Sequence, residues 1–146
     1  MRLFFDTTIL VDVERGRPEA IRLPKRAQAA DHDRWISTVT VSETFTGCYL
    51  RRDAETAVGR AREVLSQFLW QDLDGEVALR IRQVAAFLRA HGQTIAYPDV
   101  AIAATAMVVG SDLLVTDNTK DFARIPELET IASTPAEANR RLRKRR

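Results

Sequence analysis

Met1-Arg-Leu-Phe-Phe-Asp6-Thr-Thr-Ile-Leu-Val11 is the stretch from which the fold is read. Leu3, Phe4 and Phe5 form a short continuous apolar run, the pattern of a strand buried on both faces. Asp6 ends the run, and Ile9, Leu10 and Val13 then recur at helical spacing. Between them, Asp6-Thr7-Thr8 supplies side chains able to cap unpaired helix N–H groups. A first parallel strand thus delivers a carboxylate to the C-terminal edge of a sheet, where open α/β folds place their ligands. A plain N-cap would look the same, and caps are far commoner than active sites.

The chain of 146 residues, 45% hydrophobic, is long enough for one domain with a real core and short for two. Its longest apolar stretch, Val100 to Val109, is too short for a membrane span and is interrupted by Thr105. The N-terminal apolar run meets Asp6 at once, so it does not read as a signal peptide. Cys48 is the one cysteine, which excludes an internal disulfide and a multi-cysteine metal site. The two histidines, His32 and His91, do not form a metal-binding motif. A cytoplasmic protein without a membrane segment is the economical expectation.

The formal net charge of +2 hides an uneven distribution. Residues 140–146, Arg-Arg-Leu-Arg-Lys-Arg-Arg, hold six of the 22 basic residues, leaving 16 basic against 20 acidic in the body, a net of −4. The expectation is a mildly acidic domain over residues 1–139 and a basic tail over 140–146, which is a solvated end or a nucleic-acid contact.

Along the chain, Gly16 and Pro18 break the first helix, and Pro24 limits any helix through 19–30. Asp31-His-Asp33 reads as a turn. Arg34-Trp-Ile-Ser-Thr-Val-Thr-Val41 is rich in β-branched and aromatic residues and reads as the second strand. Ser42-Glu43 follows it, with Phe45, Cys48 and Tyr49 at helical spacing. Asp53 to Phe68 and Gly75 to Ala90 are amphipathic helices flanking a short strand within 69–73. Tyr97-Pro98-Asp99 opens a helix through Val109 that is apolar nearly all round and closed by Gly110. Pro suits its first positions, and an acid there is favoured by the helix dipole. Leu113–Val115 is a buried strand running into Thr116-Asp117-Asn118-Thr119-Lys120-Asp121. Residues 129–133 read as an edge strand, and a last helix starts at Pro135.

Four junctions therefore repeat one pattern: Asp6, Glu43, Asp99 and Asp117 stand where a strand gives way to a helix or a buried helix opens. Right-handed strand–helix crossovers line strand ends along one sheet edge, where carboxylates distant in sequence converge. An oxygen-only cluster suits hard cations such as Mg²⁺ or Mn²⁺. Such an ion neutralises phosphate charge and lowers the pKa of a coordinated water, as metal-assisted phosphodiester hydrolysis requires.

Phe4-Phe-Asp6-Thr-Thr-Ile-Leu, Val41-Ser-Glu43, Pro98-Asp99-Val-Ala-Ile-Ala-Ala-Thr-Ala and Val115-Thr-Asp-Asn-Thr-Lys-Asp-Phe122 together resemble PIN-domain ribonucleases, and more narrowly VapC-type toxins of toxin–antitoxin pairs. The resemblance runs from Arg2 to about Ser133. It implies a PIN-like three-layer α/β/α sandwich with a central, mostly parallel five-stranded sheet. It also implies Mg²⁺- or Mn²⁺-dependent cleavage of RNA, a homodimer, and a cognate antitoxin partner. Asp6, Glu43 and Asp99 fall on the family's acidic positions: Asp6 and Asp99 as primary metal ligands, Glu43 completing the cluster through water or a second ion. The fourth position is Asp117, with Asn118 as the polar alternative and Asp121 read as a turn residue. Thr7 and Ser42 either position a phosphate or water or are ordinary caps.

Other readings fare worse on the residues. A haloacid-dehalogenase-type phosphatase needs a second Asp two residues after the first, where this chain has Thr8. A receiver domain needs an acidic pair near strand one and a phosphoacceptor Asp after the third strand in a different arrangement, which Asp72 and Asp74 do not supply. The reading from another class is a catalytically silent RNA- or protein-binding domain whose acids are caps.

Overall fold

In the computed structural model, which describes residues 1–144, the N-terminal strand β1 (Arg2–Phe5) lies at the middle of the sheet. The chain continues through α1 (Thr7–Glu14), α2 (Pro18–Ala29), β2 (Asp33–Ser37), α3 (Thr38–Tyr49), α4 (Ala54–Leu65) and β3 (Leu69–Gln71). It then forms α5 (Gly75–Ala90), α6 (Tyr97–Val109), β4 (Leu113–Val115), α7 (Thr119–Phe122), β5 (Ala132–Ser133) and α8 (Pro135–Lys144). The strands lie in the order β3-β2-β1-β4-β5, and every pairing is parallel.

Strand alternation explains the layers. Leu3 and Phe5 share one face of the sheet with Leu113 and Val115, and pack with Ile9 and Leu10 of α1, Leu23 of α2 and Leu142 of α8. Phe4 and Leu114 point the other way, against α5 and α6. Phe5 meets Phe68 edge-on, with ring centroids 5.3 Å apart, a favoured aromatic geometry. Residues 100–106 of α6 are all buried, as an alanine-rich helix allows by letting its neighbours approach. Gly110 closes α6 at φ +67°, where a side chain would be strained. Among the described residues no helix is long and apolar enough to cross a membrane.

Because β2 and β4 lie on opposite sides of β1, the chain reverses direction across the sheet between β1 and β4. This is the switch point at which open α/β sheets form a crevice beyond the strand ends. Phe5 pairs with Val115, and the Asp6 N–H donates to the Val115 carbonyl at 3.0 Å. Asp6 and Thr116 are therefore neighbours at that edge.

Four expectations require correction. The β-branched run Thr38–Val41 is helix, not strand, because Ser37 caps α3 by accepting the Val39 N–H at 3.1 Å. Burial and capping override β-propensity here. Glu43 thus sits within the second turn of α3, not at a strand end. Pro24 does not end α2: it lies inside the helix, buried beside Leu23. The last strand spans only Ala132–Ser133, since the Ile131 and Ala132 N–H groups turn back to the Leu128 carbonyl. Finally, the division at residue 139 falls inside α8. Leu142 is buried and Arg141 donates to the Thr130 carbonyl at 2.8 Å, so residues 140–144 belong to the domain. Arg145 and Arg146 lie outside the described residues.

Candidate active site

Asp6 is the best-held acid of the molecule. It is 2% exposed, and three donors fix its two oxygens. The Thr7 N–H reaches Oδ1 at 2.7 Å, while the Thr116 and Thr8 hydroxyls reach Oδ2 at 2.7 and 3.1 Å. It does cap α1, but a solvated cap has no need of the Thr116 hydroxyl arriving from the neighbouring strand. Burial pushes its carboxyl above the usual range, the Thr116, Thr7 and Thr8 hydrogen bonds pull it back, and Glu43 adds a smaller upward push.

Glu43 reaches the same edge from α3. Its Oε1 accepts the Thr7 hydroxyl at 2.8 Å, and that hydroxyl also lies 3.0 Å from the Thr40 Oγ1. Thr40 and Glu43, three apart on one helix, share a face. Thr7 thus serves both acids, with its N–H on Asp6 and its hydroxyl on Glu43. Ser42 is exposed on α3 and does not cap it; that role belongs to Ser37.

Asp99 is the third residue of α6, half-buried in the helix's first turn. Burial raises its carboxyl from the ordinary 3.8 to about 6, with further pushes from the charges of Asp6, Glu43 and Asp121. Those three acids are its charged neighbours. Asp6, Glu43 and Asp99 are brought together as the junction pattern required, and Asp121 of α7 joins them.

Asp117 does not share that environment. It is exposed, beside Asp12 and near Arg17, which itself pairs with Asp12 at 3.2 Å. Burial and Asp12 raise its carboxyl while Arg17 lowers it. The reason is local: Thr116 ends the strand by donating its hydroxyl to Asp6 and accepting the Asn118 N–H at 2.9 Å. The chain then turns, Asp117 projects over α1, and the first turn of α7 carries Asp121 toward Asp99. Asn118 supports this arrangement by donating to Asp121 Oδ2 at 3.1 Å, and Arg124 holds Oδ1 at 3.4 Å. Asn118 thus holds the Asp121 carboxylate, which lies on the Asp99 side of the turn.

Sequence reasoning passed over Thr116. Its signal was present: a Thr directly after the strand that pairs with the Asp6 strand, in a position where its hydroxyl must either find a buried partner or be left unpaired.

Among the described residues no Lys or Arg pairs with Asp6, Glu43 or Asp99. Nor do three His, Cys, Asp or Glu side chains there form a ready-made cage for a metal ion. The donor set still fits a hard divalent cation: it is made of oxygens alone, it carries uncompensated charge, and the neighbouring acids add to the upward push on the Asp99 carboxyl. Mg²⁺ in particular keeps several waters and takes one or two carboxylates, so a full protein cage is not required. A larger cavity of about 640 Å³, around His32, Arg34 and Phe68, lies at the opposite end of the strands and contains none of these acids.

Residues 3–128 match the family model for the PIN domain. The chain belongs to the PIN-domain family. The protein named Ribonuclease VapC of Rickettsia bellii is 31% identical over 135 residues, covering 90% of this chain and 96% of the relative. A toxin–antitoxin complex from Klebsiella pneumoniae contains a chain 32% identical, with a TM-score of 0.66, covering 91% of this chain and 97% of that one. The fold also matches VapBC2 from Rickettsia felis, solved bound to a promoter DNA fragment, with a TM-score of 0.83 at 24% identity over 92% of this chain and 98% of that one. Within the family the chain is of the VapC type, in agreement with the resemblance read from its motifs.

Proposed function

We propose that this protein is a Mg²⁺- or Mn²⁺-dependent endoribonuclease acting as the toxin of a toxin–antitoxin pair. The observation that carries the reading is the cluster of Asp6, Glu43, Asp99 and Asp121 at the sheet's switch point, with no cation from the protein on its first three members. A polyanionic RNA backbone would be repelled from these carboxylates alone. Asp6 and Asp99, with Glu43 and Asp121 alongside, would hold a divalent cation, which would supply neutralisation of phosphodiester charge and activation of water. The chain's own residues make the site rigid. Thr116, Thr8 and the Thr7 N–H fix the carboxylate of Asp6, the Thr7 hydroxyl fixes Glu43, and Asn118 and Arg124 hold Asp121. Oriented in this way, the oxygens need no rearrangement when a cation and a phosphate arrive.

The likeness to VapC ribonucleases and to a toxin–antitoxin complex supports an RNA substrate and a cognate antitoxin as partner. We place the protein in the cytoplasm as a homodimer, in keeping with the same family reading. The test is cleavage of total cellular RNA by the purified protein with Mg²⁺, with Mn²⁺ and with excess chelator, mapping the ends produced. Undiminished cleavage in chelator refutes the metal mechanism. Absence of cleavage together with absence of a saturable Mg²⁺ or Mn²⁺ site favours the silent binding domain instead.

A further inference from the structure

Beside the first turn of α6 lies a cavity of about 210 Å³. Tyr97 and Val100, which flank Asp99 in sequence, line it together with Leu88, Arg89, Gln93 and Ile95. Two features distinguish it from a packing defect. Tyr97, the first residue of the helix that carries Asp99, is 63% exposed, where a structural aromatic would be covered. The side-chain oxygen of Gln93 is buried and has no hydrogen-bond partner, a costly state for a buried acceptor unless a ligand completes it.

An apolar slot, an open aromatic face and one unpaired acceptor are the components by which proteins hold a single unstacked RNA base. Given the ribonuclease reading, on which this inference rests, we propose that the cavity is a subsite for one base of the substrate, one or two nucleotides from the scissile phosphate. Tyr97 stacks on the base, the Gln93 side-chain amide at the cavity wall meets its edge, and Arg89 at the rim meets the adjoining phosphate. The size of the cavity suits one base and not a run of them. Its place on the α6 turn that carries Asp99 ties the base it holds to the position of the cut.

The experiment has two arms, with the exposed Tyr49→Ala as a surface control. In the first, a randomised RNA pool is cleaved by the wild type, Tyr97→Ala, Tyr97→Phe and Gln93→Leu, and the bases around each cut are counted. Gln93→Leu should flatten the preference at one position only. Tyr97→Ala should raise KM about tenfold or more with a smaller effect on kcat, and Tyr97→Phe should retain wild-type behaviour. In the second arm, the inactive Asp99→Asn protein binds an oligonucleotide carrying 2-aminopurine, whose fluorescence is quenched on stacking. Adding Tyr97→Ala should abolish the quench and weaken binding about tenfold, with unchanged melting temperature. Unaltered cleavage preference and quenching in the Tyr97 and Gln93 variants would overturn the subsite. Absence of cleavage by the wild type would count against the ribonuclease reading, while the binding arm still decides the subsite.

Discussion

Replacing Asp99 with asparagine preserves its shape and removes one charge from the cluster, and the consequence for stability follows from the site. In the folded protein the Asp99 carboxyl titrates at about 6 against an ordinary 3.8, raised by burial first and then by Asp6, Glu43 and Asp121. An acid whose folded pKa lies above its unfolded one binds its proton more tightly when folded. Its contribution to stability is therefore intact below about pH 4, declines as pH rises through about 6, and stays low above that. At about 1.4 kcal/mol for each pH unit, complete shielding would make the loss about 3 kcal/mol. Asp99 is only half-buried, and solvent screening reduces this to roughly half. The variant also forgoes the favourable charge in the first turn of α6, about 0.5 kcal/mol. In chelator at pH 7.5, Asp99→Asn should therefore be more stable than wild type by about 1 kcal/mol, roughly 3 °C in Tm for a chain of this size. At pH 4 the two should coincide. A cation at a hundredfold excess over its dissociation constant should then stabilise wild type by about 2.7 kcal/mol and the variant far less. Melting curves at both pH values, with chelator and with Mg²⁺ or Mn²⁺, provide the measurement. A variant less stable than wild type at pH 7.5, beside a metal-indifferent wild type, would mean that Asp99 is merely a helix-terminal acid.

Asp6→Asn should abolish RNA cleavage while leaving the circular dichroism spectrum unchanged, and chelation should abolish it in the wild type. Thr116→Val removes the 2.7 Å donor from Asp6; it should cost about 1–3 kcal/mol in urea melts and move the acid limb of the cleavage pH profile upward, because the Asp6 carboxyl loses the bond that pulls it down. Asp121→Asn should weaken Mn²⁺ binding in a titration and lower the pKa of Asp99, whereas Asp117→Asn should leave both as they are. Replacing Arg140, Arg143 and Lys144 by Gln should flatten the salt dependence of RNA binding without changing the cleaved sequence, while Leu142→Ala, which touches the core, should cost about 2 kcal/mol or more.

The legible part of the fold came from local signals that agree with one another. The Leu3–Phe5 run with a polar trio behind it gave the central strand and first helix, and Gly75 to Ala90 is a helix with those limits. Pro98 and Gly110 bracketed α6 because each acts through its own backbone geometry, independent of what surrounds it. The misreadings occurred where tertiary context decides. Thr38–Val41 carries β-branched side chains whose preference is overturned by the Ser37 cap and by burial of Thr40 and Thr44. Pro24 lies inside α2 and is buried there beside Leu23, so its place is set by tertiary packing that the local sequence does not show. Six basic residues made 140–146 read as a tail, and the lone Leu142 among them was too little pattern to reveal a docked helix.

The fourth acid shows how a site can be legible in kind but not in detail. Counting acids at strand ends pointed to Asp117, the first acid after β4. That rule holds for Asp6, since β1 hands its next residue directly to the edge, where Thr116 and two α1 donors hold it. It fails after β4 because Thr116 already occupies the equivalent place, spending its hydroxyl on Asp6 and its oxygen on the Asn118 N–H. The first acid is then turned out toward Asp12, and the next acid inward is the one a helical turn can swing back, Asp121. Two hydrogen bonds at Thr116 thus accompany the turn that leaves Asp117 beside Asp12 and Asp121 near Asp99. No spacing rule applied to the carboxylates alone could have found this, since the deciding residue carries no charge.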